Sequence, residues 1–523
     1  MRMRLVFHIG LQLIVLVSLC RLAVSSEEAS PDGEMLEEPR LAHSDVLGLS
    51  DFSYDVMAKL AGSGLLSGYS ARHFRFGFAY TRKQIADIIA KAIHSAQEGS
   101  LDDTGRKTLA HLHGDEDKLL LWQTARQFCD ELRADEPLPT TFENMPTSVF
   151  TSYALSIRPI ASLSLDSKGV MLRHQGFFSV LARLNKKTSV QIRLNTSRQT
   201  SLFESYNKPL LDVATISTEL FGGKLDLGRG YERFGPASVS GGILTDGAHP
   251  IDMFRWSGRV MLPIVGKVRV RQLVGYLQGD ENGKRFILAR RSEKSFGDSF
   301  VFGFNEVQLS KPFPSPISFL LPLYPASRLL VRMGRNEDSD EIIVSADMSW
   351  IGKGGTRFYI EWVVDDVRLA KPAERQMGCI VGFQMPFDVA RKRLGLTVEY
   401  ARFDKNTFTH RNRKLNYQYR NESLGYVTGP NSMLIFGRLD FPISQRMHIA
   451  LLGARAQHGR KTSPDWEQYF SAQFFYDINP SLSIGLHYTK GMPPRCGKPI
   501  HAGAWDEAKE RADYVSFEIN MLL

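Results

Sequence analysis

The larger part of the chain, from residue 148 to residue 523, alternates apolar and polar side chains with a period of two. In residues 357–365 one face carries Phe358, Ile360, Trp362 and Val364, and the other carries Arg357, Tyr359, Glu361 and Asp365. The same alternation marks residues 190–195, 482–489 and 514–523. Successive side chains of a β-strand point to opposite faces, so this region is predicted to be a series of two-faced strands.

Two architectures use such strands. A soluble sandwich turns the polar face to water, whereas a membrane barrel turns the apolar face to lipid and the polar face to its lumen. The strands have the length of about 9 to 12 residues that crosses a bilayer. They also carry charges such as Arg193 and Glu361 within the alternation. These features favour a transmembrane barrel of some 16 to 20 antiparallel strands, an even number, at roughly 20 residues per strand with its loop.

Residues 53–134 have a helical period instead. Met57 and Leu60 recur at helical spacing, and Thr81 is suited to cap a second helix that carries Ile85 and Ile89. The proline-rich residues 135–147 end this pattern, because proline cannot continue a helix. We therefore predict a small N-terminal α-helical bundle over residues 53–134, a linker over 135–147 and the barrel over 148–523.

The N-terminus has the three parts of an export signal. Arg2 and Arg4 precede an apolar run, and small residues surround Ala23. We predict a cleaved signal peptide at residues 1–25 and a flexible acidic start of the mature chain at 26–52. After residue 25 no apolar run is long enough for a helix to span a bilayer, so the mature chain is expected to meet a membrane as strands.

Charge and cysteine content exclude several functions. Removal of the leader, which carries three arginines and no acid, lowers the formal charge from +9 to +6. The basic residues are scattered, which argues against nucleic acid as a partner. The mature cysteines Cys129, Cys379 and Cys496 form no disulfide pattern, and the histidines lack metal-ligand spacing. No metal and no cofactor are predicted.

The most informative segment is Gly-Arg-Gly-Tyr-Glu-Arg-Phe-Gly-Pro at residues 228–236, followed by residues 241–250. Its glycines fit neither a phosphate loop nor a dinucleotide fingerprint. Arg229 and Arg233 are candidates for binding a sugar carboxylate through paired hydrogen bonds. The alternative, which we favour, is that they pin the Gly235-Pro236 turn or pair with acids of the lumen.

Five further residues are candidate ligand contacts, of which Tyr231 and Phe234 lie within this segment and Asp246, His249 and Trp256 follow it. Asp246 and His249 have the chemistry of an acid–base pair, and Tyr231, Phe234 and Trp256 are able to stack on sugar rings or to belong to an aromatic girdle. No nucleophile lies in a recognised motif, so an enzyme is not expected.

Two parts of the chain resemble the Wzi-type capsule-assembly family of Gram-negative outer-membrane proteins. Residues 54–66 and 80–90 look like the helical hairpin that precedes the barrel in that family. Gly228-Arg229, residues 233–236 and residues 243–250 are similar to its Gly-Arg, Arg-Trp-Gly-Pro and Leu-Ser-Asn-Ala-Pro series. Phe234 stands where the family usually has tryptophan, and residues 245–247 depart from its commoner serine and asparagine.

The resemblance implies a monomeric barrel in the cell outer membrane whose lumen is closed by helices and loops. It implies a lectin-like, non-catalytic role in the assembly and surface attachment of capsular or other exported polysaccharide. The basic loops at 404–420 and 491–513 are suited to lipopolysaccharide phosphates, or are simply solvated loop surface. Two alternatives stay open: an outer-membrane porin with an S-layer-homology-like N-terminus, and a secreted carbohydrate-active enzyme.

Overall fold

The fold is that of a computed structural model, which describes most of the predicted barrel region. The described residues are 149–162, 170–184, 188–195, 198–200, 205–207, 211–220, 222–246, 248–262, 265–280, 283–297, 299–311, 340–352, 356–365, 376–389, 392–410, 415–420, 422–444, 446–459, 465–479, 482–491 and 514–522, with Met57, Ile85, Ile88 and Ile89. The last four are helical and buried. The predicted leader, the linker and the rest of the helical bundle lie outside the described residues.

The described chain is built of β-strands. They are β1 Val149–Ser162, β2 Val170–Arg183, β3 Thr188–Asn195, β4 Arg198–Thr200, β5 Ser205–Asn207, β6 Leu211–Leu220, β7 Gly223–Gly230, β8 Ile251–Leu262, β9 Gly266–Asp280, β10 Gly283–Phe296, β11 Phe300–Ser310, β12 Asp340–Ile351, β13 Arg357–Asp365, β14 Met377–Val389, β15 Lys392–Phe403, β16 Gln418–Tyr419, β17 Glu422–Ser423, β18 Ser432–Pro442, β19 Met447–His458, β20 Asp465–Asn479, β21 Leu482–Gly491 and β22 Tyr514–Leu522. No helix in the described part of the chain is long and apolar enough to cross a membrane.

One sheet holds twenty of these strands. Apart from the short β4–β5 hairpin, which pairs with β2, each strand of this sheet pairs antiparallel with the strands before and after it. The last strand, β22, also pairs with the first, from Ala154↔Leu522 to Ser162↔Tyr514. The order of pairing is therefore circular and includes eighteen strands, an even number within the predicted range.

The two ends of the sheet differ in their connections. At one end β6 and β7 are joined through Gly222, and β10 and β11 through Gly297; both glycines have positive φ, as tight turns often require. At the other end lie long connections, including residues 231–250, 311–339, 404–431 and 492–513. We call these the turn end and the loop end.

The two faces of the strands differ in chemistry as the alternation predicts. Trp362 is 53% exposed on the outer face of β13, whereas its neighbour Glu361 is fully buried. On β3, Ile192 is exposed and Arg193 is buried. Other exposed apolar side chains on the strands are Leu227, Phe254, Phe302, Trp350, Ile435, Leu451 and Leu486. The sheet is apolar outside and carries buried polar and charged groups inside.

The interior is filled by two connections from the loop end. The first insert is residues 231–250, between β7 and β8, and the second insert is residues 404–431, between β15 and β18. Phe234 and Leu244 of the first insert and Phe408 and Tyr417 of the second are buried in one apolar cluster with inward-facing strand residues. The core of this fold thus lies within the ring of strands.

Glycines on β14 make room for large rings from both neighbouring strands. A Cβ on Gly382 would lie 2.0 Å from Cζ of Tyr359, and a Cβ on Gly378 would lie 2.3 Å from Cδ1 of Phe403. Real side-chain atoms do not approach so closely. These glycines therefore set the positions of Tyr359 and Phe403 toward the interior.

Substitution Gly382→Ala is expected to displace Tyr359 and to lower the free energy of unfolding by about 1 to 3 kcal/mol, the usual cost of overpacking. The midpoint of urea-induced unfolding measures this loss. Gly437→Ala on β18 is the matched control, because a Cβ there meets no atom within 4 Å. Equal midpoints for the two variants would contradict this account of Gly382.

Candidate functional site in the barrel interior

The first insert folds back on itself directly after β7. The Phe234 amide donates to the Leu244 carbonyl at 3.0 Å. The Arg233 guanidinium donates to the Ala237 carbonyl through Nη2 and lies 3.4 Å from Asp246 Oδ1 through Nη1. Gly241 passes so close to Leu244 that a Cβ would lie 1.8 Å from its carbonyl oxygen. Arg233 therefore holds the two limbs of the insert together.

The second insert is hydrogen-bonded to the first. The Thr245 amide donates to the Leu424 carbonyl at 2.8 Å, and the Tyr426 amide donates to the Gly242 carbonyl at 3.1 Å. The Tyr417 hydroxyl donates to the Ile243 carbonyl at 2.5 Å. Burial raises the pKa of the Tyr417 phenol well above its usual value, so it remains a donor at neutral pH. The two inserts form one packed unit.

A single buried carboxylate joins this unit to the wall. Glu399 of β15 accepts hydrogen bonds through Oε2 from the amides of Ser238, at 2.5 Å, and Val239, at 3.2 Å, and from the Tyr359 hydroxyl. Its Oε1 accepts from the Tyr426 hydroxyl at 2.5 Å. Burial, reinforced by the nearby Glu399 carboxylate, raises the pKa of Tyr426 well above its usual value and keeps this phenol protonated. Four donors from both inserts and from β13 thus converge on one side chain.

A second buried carboxylate supports the inner surface of the first insert. A Cβ on Gly235 would lie 2.3 Å from Oε2 of Glu361, and a Cβ on Gly242 would lie 2.3 Å from its Oε1. Glu361 also accepts a hydrogen bond from the Ser345 hydroxyl at 2.8 Å. Gly235 has a φ of 101°, a backbone conformation that side chains with a Cβ rarely adopt. Only glycine fits at these two contacts.

Further charges on the inner wall are paired. Glu232 of the first insert accepts hydrogen bonds from Arg255 on β8, at 2.5 Å, and from Arg271 on β9. Arg255 also lies 2.7 Å from Asp226 on β7. On the next strands Arg291 contacts Asp347 at 2.6 Å and Glu293 at 2.9 Å, and Asp347 also accepts from Asn305 at 2.9 Å. These buried ions compensate one another across the wall.

The two arginines predicted as ligand contacts have structural partners. Arg229 donates from Nε and Nη2 to both carboxylate oxygens of Asp252, at 2.6 and 2.8 Å. Arg233 is buried within the first insert, where it joins the two limbs through Ala237 and Asp246. Arg233 is thus paired within the first insert, whereas Arg229 and Asp252 share the outer face of the sheet with Leu227 and Phe254, so Arg229 does not pair with an acid of the lumen.

Asp246 and His249 contact different partners. Asp246 lies against Arg233, whereas Nε2 of His249 is 3.8 Å from a carboxylate oxygen of Glu422, and its ring meets Tyr419 edge-on. The contacts of the described residues therefore give no support to an acid–base pair made of these two side chains. No group of three or more histidine, cysteine or acidic side chains within the described ranges is placed to hold a metal ion.

The three candidate aromatic residues occupy different environments. Phe234 is fully buried, with the Arg271 guanidinium over its ring. Trp256 packs over Gly223 and Gly258 of β7 and β8. Tyr231 lies under the guanidinium of Arg193, 5.8 Å from its ring centroid. The ring of Phe234 is therefore not available to a sugar, whereas Tyr231 is partly exposed.

In the loop at residues 404–420 the described basic side chains, Lys405 and Arg420, are exposed, whereas apolar side chains are buried. Phe408 and Tyr417 are buried, because this loop folds into the interior as part of the second insert. Arg420 is exposed, in agreement with the prediction. The remaining basic residues of these loops lie outside the described residues: Arg411, Arg413, Lys414, Arg495, Lys498 and His501.

Sequence reasoning missed Glu399, Ser238 and Tyr426 altogether. The sequence did carry one indication of Glu399: like Glu361, it is a charged residue within an otherwise mostly apolar strand. Nothing in the sequence indicated that a backbone turn more than 150 residues earlier donates to it.

Glu399→Gln is expected to lower the free energy of unfolding by about 2 to 4 kcal/mol, because an amide nitrogen would face donors that need an acceptor. The midpoint of urea unfolding gives the loss, and faster protease cleavage within residues 231–250 shows that the first insert has loosened. Glu219→Gln, at an exposed position on β6, is the control. Unchanged cleavage would contradict the role assigned to Glu399.

Comparison with known proteins shows that this chain shares its fold with a solved structure but matches no known sequence family. No family model matches the chain, and no curated protein matches its sequence. Among solved structures it is similar to Wzi of Escherichia coli, an outer-membrane protein involved in group 1 capsule assembly and described as a carbohydrate-binding β-barrel. The identity is 11% and the TM-score 0.55, over 91% of this chain and 99% of that one. OmpF of Salmonella typhi matches with a TM-score of 0.39 at 9% identity, over 72% of this chain and 98% of that one. The chain has a β-barrel fold.

Proposed function

We propose that the protein is a closed, filled barrel of the outer membrane that retains capsular or other exported polysaccharide at the cell surface without catalysing a reaction. The observation that carries this proposal is the packed unit of two inserts inside the ring of strands. This unit occupies the lumen through which ions and small solutes would pass if the barrel were a diffusion channel. The similarity in fold to a carbohydrate-binding barrel supports the same proposal.

The outer face of the sheet supports the membrane location. Apolar side chains such as Trp362 and Ile435 project outward from strands long enough to cross a bilayer. Short turns at one end and long connections at the other are typical of outer-membrane barrels. The N-terminal export signal predicted from the sequence fits the same location.

The lipid-facing assignment is tested at Trp362. Trp362→Arg is expected to lower the free energy of unfolding in lipid vesicles by roughly 2 to 4 kcal/mol, the cost of a basic side chain near the bilayer midplane. Trp362→Leu is the matched control, because it keeps the position apolar. Urea unfolding measures both variants. Equal stability of the two would place Trp362 outside the lipid.

Planar-bilayer recording separates a filled barrel from a porin. The wild-type protein is expected to conduct little current, because both inserts are tied to the wall. Deletion of residues 237–245, which removes the donors to Glu399 in the first insert, is expected to raise the conductance. Gly437→Ala serves as a folded control. Large wild-type currents would favour the porin alternative.

We place the polysaccharide-facing surface at the loop end. The ion pair of Arg229 and Asp252 is partly exposed there, as are Tyr231 and His249. Guanidinium, imidazole and phenol groups suit hydroxyl and carboxylate groups of acidic sugars. Asp246, Phe234 and Arg233 support the insert from within, and Trp256 belongs to the strand surface.

A strain that lacks the protein tests this function. Polysaccharide retained on the cells is expected to fall and polysaccharide in the medium to rise, with the total amount and chain length unchanged. Expression of the wild-type chain should restore retention, and Arg229→Ala should restore it less well. A change in polymer length or linkage would instead indicate an enzyme.

A further inference from the structure

Two arginines stand on the outer face of the sheet near the loop end. Arg402 is the last but one residue of β15, and Arg455 lies in the last third of β19. Both side chains are exposed, whereas their sequence neighbours Ala401 and Ala456 are buried in the interior. Alternate residues of a strand face opposite ways, so both arginines project outward.

A lysine extends this arrangement along the rim. Lys490 is the last but one residue of β21, is exposed, and pairs with Phe470 of β20, which is itself exposed on the outer face. Directly paired residues lie on the same face, so Lys490 also projects outward. With neighbouring strands about 4.8 Å apart, each of the three cations is about 10 Å from the strand of the next. We call Arg402, Arg455 and Lys490 the outer cation row.

Aromatic side chains accompany the outer cation row. The Arg455 guanidinium lies over the Trp466 ring, 4.0 Å from its centroid. Tyr400 and Phe470 are exposed on the same face. Tryptophan and tyrosine are typical of the level at which a barrel meets the lipid headgroups, and long loops are typical of its extracellular end. The cations are therefore at the headgroup level of the outer leaflet.

These cations are not neutralised by the described part of the wall. The outward side chains described on β15, β18, β19, β20 and β21 include no aspartate or glutamate. The three cations form no ion pair with the described acids. Arg229 on β7 differs, because its guanidinium binds both carboxylate oxygens of Asp252 on the same outer face. The outer cation row is thus available to an anion outside the chain.

We infer that the outer cation row binds the phosphate groups of the lipopolysaccharide headgroup, an inference that rests on the proposed outer-membrane location. Guanidinium and ammonium groups suit phosphate oxygens, the guanidinium through paired hydrogen bonds. A headgroup that carries more than one phosphate is able to reach two cations of the row at once. The apolar surface below the row, which includes Ile435 and Leu451, then faces the acyl chains of the same lipid.

Binding of purified lipid A tests this site. The full chain, folded in micelles of a nonionic detergent, is titrated with lipid A that carries its phosphates and, separately, with lipid A from which they have been removed. Native mass spectrometry counts the bound lipid. The form without phosphates should bind roughly a hundredfold more weakly, and added salt should weaken binding of the phosphorylated form.

Charge removal locates the site. Each of Arg402→Gln, Arg455→Gln and Lys490→Gln should weaken binding of phosphorylated lipid A about fivefold, and the triple variant roughly a hundredfold. Lys294→Gln is the matched control, because Lys294 is paired with the exposed Phe302 on the same outer face but at the turn end. This control should bind lipid A as the wild-type chain does.

Three results would overturn the inference: wild-type affinity of the triple variant, equal affinity for the two forms of lipid A, or displacement of bound lipid A by inorganic phosphate at constant ionic strength. If the triple variant does not fold, the single variants Lys490→Gln and Lys294→Gln take its place, and equal affinities of these two would count against the site. Insertion of the wild-type chain into phospholipid vesicles is measured separately. A chain that inserts without preference for phosphorylated lipid A refutes the site alone, whereas failure to insert contradicts the membrane location and the inference with it.

Discussion

The hydrogen bonds that converge on the Glu399 carboxylate determine how the interior is filled. An ionised carboxylate in the interior is tolerated only when donors surround it. Glu399 has four donors, two from the backbone of the first insert, one from Tyr359 on the wall and one from Tyr426 on the second insert. Because none of these elements alone satisfies the charge, the inserts and the wall hold one another in place.

Close contacts near Glu399 explain why glycine occupies several positions in the first insert and on β14. Gly235 and Gly242 pass over Glu361 at distances that only glycine permits, and Gly382 leaves space for the Tyr359 ring. The wall also carries charges opposite to those of the inserts: Arg255 and Arg271 pair with Glu232 of the first insert. The result is an interior with the packing of a protein core.

The segment at residues 228–236 illustrates how far its sequence was informative. Its glycines and proline indicated a tight turn, and the chain bends at Gly235 and Pro236, where Gly235 has a positive φ. Its arginines were open to two interpretations: Arg233 contacts Ala237 and Asp246 within the first insert, whereas Arg229 pairs with Asp252 on the outer face of the sheet and not with an acid of the lumen. Phe234 was a candidate for sugar stacking from its chemistry alone, but a residue type does not reveal that its ring is enclosed.

The sequence by itself determined the strands, their two faces and the range of strand number, because the direction of a side chain on a strand depends only on its position along that strand. It also placed Arg193 and Glu361 on the inner face. Only the tertiary structure decided which connections enter the interior and which donors meet Glu399, since Ser238 is 161 residues away in the chain. Such contacts depend on the curvature of the whole sheet, which brings distant strands and loops together and leaves no periodic trace in the sequence.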